Sequence, residues 1–225
     1  MNGNGFNENP ESMLREQRHS MVEQQLRDRG IHDVRVLAAM GQVPRHEFVS
    51  YDQRGQAYSD HPVSIPEQQT TSQPYIIASM LQSAEIQPGD RVLEVGAGSG
   101  YQTALLATLA AQVIAIERYS SLAEEASVTL QRLGYENVTI VAGDGSLGVP
   151  QHAPFDAIIV SAAAPQVPPA LVQQLALAGR LVIPVGDSAQ QVLQLVRKHR
   201  DGSITTHSLE GCRFVPLIGE QGFAA

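Results

Sequence analysis

One cysteine in 225 residues, Cys212, rules out an intramolecular disulfide and any multi-cysteine zinc site. Charge is also sparse: 17% of residues are charged, and 23 acidic against 15 basic side chains give a formal net charge of −8. No Lys/Arg cluster stands out. The basic face that neutralises phosphates is therefore missing, and a nucleic-acid partner is not expected. No apolar run approaches the length of a membrane span, and residues 1–11, rich in Asn and Gly, have neither a basic start nor an apolar core. These features predict a disordered tail over residues 1–11, no membrane partner and a cytoplasmic location. Histidines such as His46 and His61 have no partner at metal-ligand spacing, so no metal is expected.

Hydrophobic residues make up 43% of the chain, enough for one well-buried domain over residues 12–225. Residues 12–41 read as two helices. Met13, Met21, Val22 and Leu26 recur at helical spacing before Arg29-Gly30, and Asp33 can cap a second helix carrying Val36, Leu37 and Met40. Residues 45–71 lose periodicity around Pro62 and Pro66 and read as a long, functional loop. From residue 72 onward a core of alternating strands and helices is expected. Apolar runs at 91–95, 113–116, 138–141, 157–160 and 180–183 alternate with helical stretches at 101–110, 120–133 and 169–177. Strands this apolar are covered on both faces, as in a parallel sheet with helices on either side. Residues 191–196 and 213–218 are two further strand candidates.

The first of these strands ends in Glu94-Val95-Gly96-Ala97-Gly98-Ser99-Gly100-Tyr101. Ligands in such sheets bind beyond the carboxyl ends of the strands, and glycine lets the backbone approach them closely. A tight strand-to-helix turn needs glycine for geometry alone, so Gly96, Gly98 and Gly100 acquire meaning only from their neighbours. Glu94 could accept from the amino group of an amino-acid ligand. Glu117 ends the next strand, 21 positions after Gly96, where a carboxylate can accept both ribose hydroxyls. Asp144, in Gly143-Asp144-Gly145, could accept from an adenine amino group. Three carboxylates at successive strand ends beside a glycine turn favour adenosine with an amino-acid tail, which is S-adenosyl-L-methionine.

Four further segments carry a family resemblance. They are Pro66-Glu67-Gln68-Gln69-Thr70-Thr71-Ser72-Gln73-Pro74-Tyr75, the run from Ala153-Pro154-Phe155 to Ser161-Ala162-Ala163-Ala164-Pro165, Gly179-Arg180-Leu181-Val182-Ile183-Pro184, and Arg213-Phe214-Val215-Pro216-Leu217. Together they resemble the protein-L-isoaspartate O-methyltransferases over nearly the whole chain. The resemblance implies a Rossmann-like S-adenosylmethionine-dependent methyltransferase: an α/β, doubly wound, mostly parallel seven-stranded sheet with an N-terminal helical extension. It implies methylation of the α-carboxylate of L-isoaspartyl residues in damaged proteins; a monomer in the cytoplasm is expected. By motif, Ser72 looks like the active-site serine. Thr70, Thr71, Ser99, Glu117, Arg118, Asp144 and Gly145 look like cofactor contacts, and Ala162, Ala163, Ala164, Pro165, Val215, Pro216 and Leu217 look like walls holding the peptide. Where the family commonly writes Gly-x-Gly before its Gln-Thr-Ile-Ser, this chain has Pro66-Glu67-Gln68, which predicts a different backbone freedom in that loop.

An acceptor carboxylate with a pKa near ~4 is already ionised at neutral pH, so the transfer requires no general base. That suits residues 161–165, which carry no charge. Ser72 has two readings: a hydrogen bond to the acceptor, or the N-cap of the helix opened by Pro74. Two other functions fit less well. A base-directed methyltransferase uses an Asn/Asp-Pro-Pro-aromatic turn where this chain has Ser161-Ala162-Ala163. A binding module without turnover would have no need of all three carboxylates.

Overall fold

A computed structural model describes residues 10–224. Of the tail expected over residues 1–11, all but Pro10 and Glu11 lie outside the described residues; those two open the first helix, α1 (Pro10–Ser20). The helix continues through a wider π turn over Met21–Leu26 and a 3-10 turn over Arg27–Arg29, and stops at Gly30 with φ 96°. Leu14, Met21, Val22 and Leu26 face inward, whereas Met13 is 42% exposed. The next helix, α2 (Val34–Gln42), starts as its sequence implies: Asp33 Oδ1 accepts from the backbone of Arg35 at 2.8 Å.

Residues 45–71 are more regular than expected. They contain 3-10 turns at Arg45–Phe48 and Tyr51–Gln56, then a hairpin of two three-residue strands, β1 (Val63–Ile65) and β2 (Gln69–Thr71). None of these pieces is long enough to show a period in sequence. Helix α3 (Pro74–Ala84) follows, and its Gln82 accepts from the backbone of His32 and Asp33, tying it to the start of α2.

The core then runs β3 (Arg91–Val95), α4 (Tyr101–Leu109), β4 (Gln112–Glu117), α5 (Ser120–Arg132), β5 (Val138–Ala142), β6 (Phe155–Val160), α6 (Pro169–Gln173), β7 (Leu175–Gly186), β8 (Gln191–Lys198) and β9 (Ile204–Cys212). The sheet order is β5-β4-β3-β6-β7-β8-β9, parallel from β5 to β7 and antiparallel across β7–β8 and β8–β9. This is the doubly wound, mostly parallel seven-stranded sheet expected from the sequence. Alternate residues feed two cores. Val92, Ala157, Ile159 and Val182 join the N-terminal helices on one face, while Leu93, Ile158, Leu181 and Ile183 pack on the other.

Two elements differ from expectation. The helix predicted at 169–177 ends at Gln173, because Leu175 already begins the long strand β7. The last strand is not 213–218 but Ile204–Cys212, an edge strand too polar to read as one, with most of its residues exposed. Residues 213–218 instead run back over the sheet ends, held by Val215 O and the Leu217 N–H on Ala163 at 2.8 and 2.7 Å.

Candidate active site

The chain order reverses between β3 and β6, the point at which doubly wound sheets open a crevice. A cleft of about 340 Å³ lies there, with a floor of Val95, Gly96, Ile116 and Gly145. Gly96, Gly98 and Gly100 have φ of 89°, 52° and 86°, which side chains rarely tolerate. Gly96 and Gly98 line the cleft. Gly100 serves another purpose: a Cβ there would lie 3.1 Å from the Ala126 Cβ, so its bareness lets α4 pack on α5. Gly145 is confined in the same way, since an added Cβ would come 2.5 Å from Val95 Cγ1.

The three carboxylates have different surroundings. Glu117 lines the cleft although only 6% exposed; its Oε2 accepts from Gly98 N at 2.9 Å and its Oε1 from Tyr119 N at 3.0 Å. Each oxygen keeps a lone pair for a further donor, so the residue can still take two hydroxyls. Glu94 does not reach the cleft. It shares the parity of Val92 on β3 and points under α4, where Thr103 Oγ1 donates at 2.5 Å and Gln102 Nε2 at 3.1 Å. Complete burial pushes its pKa up to about 8, so a direct bond to a ligand amino group is replaced by an internal one. Gln102 passes the connection on, donating at 2.7 Å to Ser161 Oγ on the cleft wall. Asp144 sits at the outer lip, in a small hollow shared with Arg118 and Ile218. Its oxygens accept from Ser146 N, Ser146 Oγ and Glu220 N at 2.9, 2.7 and 2.8 Å.

The hairpin of β1 and β2 forms the other wall, through Glu67, Gln68, Gln69 and Thr70. Strand alternation separates the paired threonines. Thr70 faces the cleft, while Thr71 is buried against Arg45 Nη1 at 3.2 Å and is not a wall residue. Glu67 and Gln68 have φ of 58° and 57°. The tip thus holds a left-handed conformation of the kind that glycine adopts most readily. Ser72 opens onto an adjoining groove of about 470 Å³ that shares Thr70, Ser161 and Val215 with the cleft. The N-cap of α3 is Gln73 and has no side-chain capping bond, so the capping reading of Ser72 is corrected. Its hydroxyl has no hydrogen-bond partner among the described residues.

Ala162, Val215, Pro216, Leu217 and Arg118 line the cleft. Ala163 and Ala164 do not; both are fully buried and bridge to Pro216 and Val185, and Pro165 lies exposed beyond the wall. Ser99 faces a separate hollow beside Phe48 and Leu122. Tyr119 and Ser161 carried no signal as site residues in the sequence, whereas the hairpin tip did, in its departure from Gly-x-Gly. Among the described residues no group of His, Cys, Asp and Glu could hold a metal.

Residues 16–222 match the family Protein-L-isoaspartate(D-aspartate) O-methyltransferase (PCMT). A protein-L-isoaspartate O-methyltransferase of Koribacter versatilis is 55% identical over 92% of this chain and 93% of its own length. One from Syntrophobacter fumaroxidans is 53% identical over 92% and 96%. A Plasmodium falciparum protein assigned to the same activity, solved with S-adenosyl-L-homocysteine, superposes with a TM-score of 0.77 at 29% identity, covering 89% of this chain and 98% of that one. With a family match over most of its length and relatives at this identity, the chain belongs to the protein-L-isoaspartate O-methyltransferases.

Proposed function

We propose that this protein repairs damaged proteins by moving the methyl group of S-adenosyl-L-methionine to the α-carboxylate of L-isoaspartyl residues. The observation that carries the reading is a cleft and a groove that share Thr70, Ser161 and Val215 as lining. The Glu117 carboxylate faces a cleft at the switch point, and that cleft joins an uncharged wall and then the groove holding Ser72.

The site fits the cofactor. Glu117 retains acceptor capacity for the ribose, and Gly96 and Gly98 bring bare backbone to the floor. When bound, S-adenosyl-L-methionine supplies an electrophilic methyl carbon on a cationic sulfur. Thr70 and Arg118 stand on its borders, with Asp144 at the lip beside Arg118. The free Ser72 hydroxyl would hold the acceptor carboxylate, and Ala162, Val215, Pro216 and Leu217 would exclude water around it. Because that carboxylate is ionised at neutral pH, orientation is what the chain must contribute, which can be worth several kcal/mol. The resulting ester carries methoxide as a leaving group, where a carboxylate would have to expel oxide. The neighbouring amide nitrogen displaces methanol to close a succinimide, and hydrolysis returns part of it to an aspartyl linkage.

We infer that the protein works as a monomer in the cytoplasm without a nucleic-acid partner. Its net charge of −8 speaks against a nucleic-acid partner. No helix among the described residues is long and apolar enough to cross a membrane. The test is methyl-ester formation on an isoaspartyl peptide with the matching aspartyl peptide as control. Label on the isoaspartyl peptide alone is expected; equal label on both, or on neither, overturns the reading.

A further inference from the structure

Arg45 is fully buried and lies beneath the loop that carries Ser72. Its Nε donates to Ala57 O at 2.7 Å, Nη1 to Thr71 Oγ1 at 3.2 Å and Nη2 to Ser72 O at 2.8 Å. The guanidinium carbon stands 4.7 Å from the centre of the Tyr101 ring. Tyr101 is the first residue of α4, directly after the glycine turn. Among the described residues no carboxylate forms an ion pair with Arg45. Asp60, the acid nearest in charge, is instead paired with Arg29 and accepts from Tyr75 N at 3.1 Å.

A buried cation is costly unless its donors are filled, and here carbonyls, a hydroxyl and an aromatic face fill them. That choice of partners has a geometric result. A planar fork with donors in fixed directions joins two parts of the site distant in sequence, the Thr71-Ser72 segment and the helix behind the turn. The side of the loop facing the groove has no comparable fixation, since the Ser72 hydroxyl is unbonded and Gln73 makes no cap.

We propose that Arg45 is a positioning residue for methyl transfer, holding Ser72 at a set distance from the glycine turn through its bonds to Thr71 and Ser72 and its stacking on Tyr101. The inference rests on the repair reading, in which the turn borders the cofactor and Ser72 borders the acceptor. Arg45 touches neither reactant. A displacement of about 1 Å between oriented reactants costs on the order of a hundredfold in rate, so loosening this fork should appear in kcat.

Arg45→Lys keeps the charge and loses the fork. It is compared with Leu26→Ala, which empties a fully buried site in the N-terminal helical layer and removes none of the Arg45 bonds. Both are assayed well below their melting midpoints on an isoaspartyl peptide, with S-adenosylhomocysteine affinity measured by calorimetry. Arg45→Lys should lower kcat at least about tenfold while the Kd for S-adenosylhomocysteine moves less than about threefold. Leu26→Ala, with a similar or larger fall in midpoint, should keep kcat within about twofold of the parent. Parallel losses in the two variants, or a loss of S-adenosylhomocysteine affinity as large as the loss of kcat, would overturn the proposal. If Arg45→Lys does not accumulate as folded protein, Tyr101→Leu removes the stacking platform and should show the same split; unchanged kcat there overturns it too. Failure of the parent to methylate the isoaspartyl peptide would instead count against the repair reading.

Discussion

Glu94 and Glu117 end neighbouring parallel strands, yet their surroundings assign them opposite work. Glu117 accepts one backbone N–H on each oxygen, from Gly98 and Tyr119, and faces the cleft. Glu117→Gln turns an amide N–H toward Gly98 N or Tyr119 N, and should raise the Kd for S-adenosylhomocysteine at least about tenfold by calorimetry. Glu94, by contrast, is raised to about 8 from 4.5, first by burial and further by the charge of Glu117, against the hydrogen bonds of Thr103 and Gln102. An acid raised on folding takes up a proton when the chain folds. Stability therefore declines as pH climbs from about 4.5 to about 8, by at most about 1.4 kcal/mol per unit. Glu94→Gln should flatten that slope, so its melting midpoint should exceed the parent's at pH 8 and lose the advantage near pH 5. A constant difference across the range would refute the assignment. Ser72→Ala removes only an unbonded hydroxyl. It should leave the melting midpoint unchanged while turnover on an isoaspartyl peptide falls more than about tenfold, within the range for losing one oriented hydrogen-bond donor. That glutamates stood near these strand ends was legible in the sequence; which of them reached the cleft was not, because that depends on register: Glu94 pairs with Ala115 inside the ladder, whereas Glu117 lies one position past the last pair, Val95 with Ile116.

Among the elements, the β1–β2 hairpin was the least legible, and its tip holds a local conflict. Two consecutive non-glycine residues, Glu67 and Gln68, adopt left-handed φ, and Gln69 N bonds back to Pro66 O at 3.2 Å. Such conformations cost on the order of 1 kcal/mol each and persist where surroundings enforce them. Here Ser121 Oγ at the start of α5 donates to Glu67 Oε1 at 2.7 Å, pinning the tip across the cleft mouth. Gln68→Gly should leave thermal stability equal or slightly higher, whereas Gln68→Val should lower it by about 1–2 kcal/mol, since β-branching opposes this φ. A stability loss on going to glycine would mean that the side chain, not the backbone, matters. The parallel strands, by contrast, were legible because burial on both faces makes their runs nearly all apolar. The edge strand β9 was hidden by the opposite circumstance, since an exposed edge leaves hydropathy nothing to report.

At the scale of the whole molecule, the last segment joins the two margins of the sheet. Leaving the edge strand β9, the chain returns over β6 through Ala163 and reaches the turn after β5, where Glu220 N bonds Asp144 Oδ2 at 2.8 Å and Gln221 N bonds Ser146 Oγ at 2.9 Å. Residues 215–218 of this strap form one wall of the cleft, so its seating shapes the cleft. The approach is close enough that only glycine fits at 219, where a Cβ would fall 2.0 Å from Asp144 Oδ1 and 2.6 Å from Ser146 Oγ. Gly219→Ala must lift the strap and break both bonds. At about 1 kcal/mol for a neutral bond and somewhat more for a charged one, the loss should be roughly 2–3 kcal/mol, or about 4–12 °C in Tm for a chain of this size. Affinity for S-adenosylhomocysteine should fall with it as the wall recedes. The penalty should also depend on pH. Burial alone raises the Asp144 pKa, but the bonds from Glu220 and Ser146 bring it below 3.8. A carboxylate depressed on folding stabilises above its unfolded value, and that contribution disappears as pH falls through the folded one. The gap between parent and Gly219→Ala should therefore be widest near neutrality and narrow in acid. A gap that stays constant down to pH 3 would show that the glycine is required for shape alone.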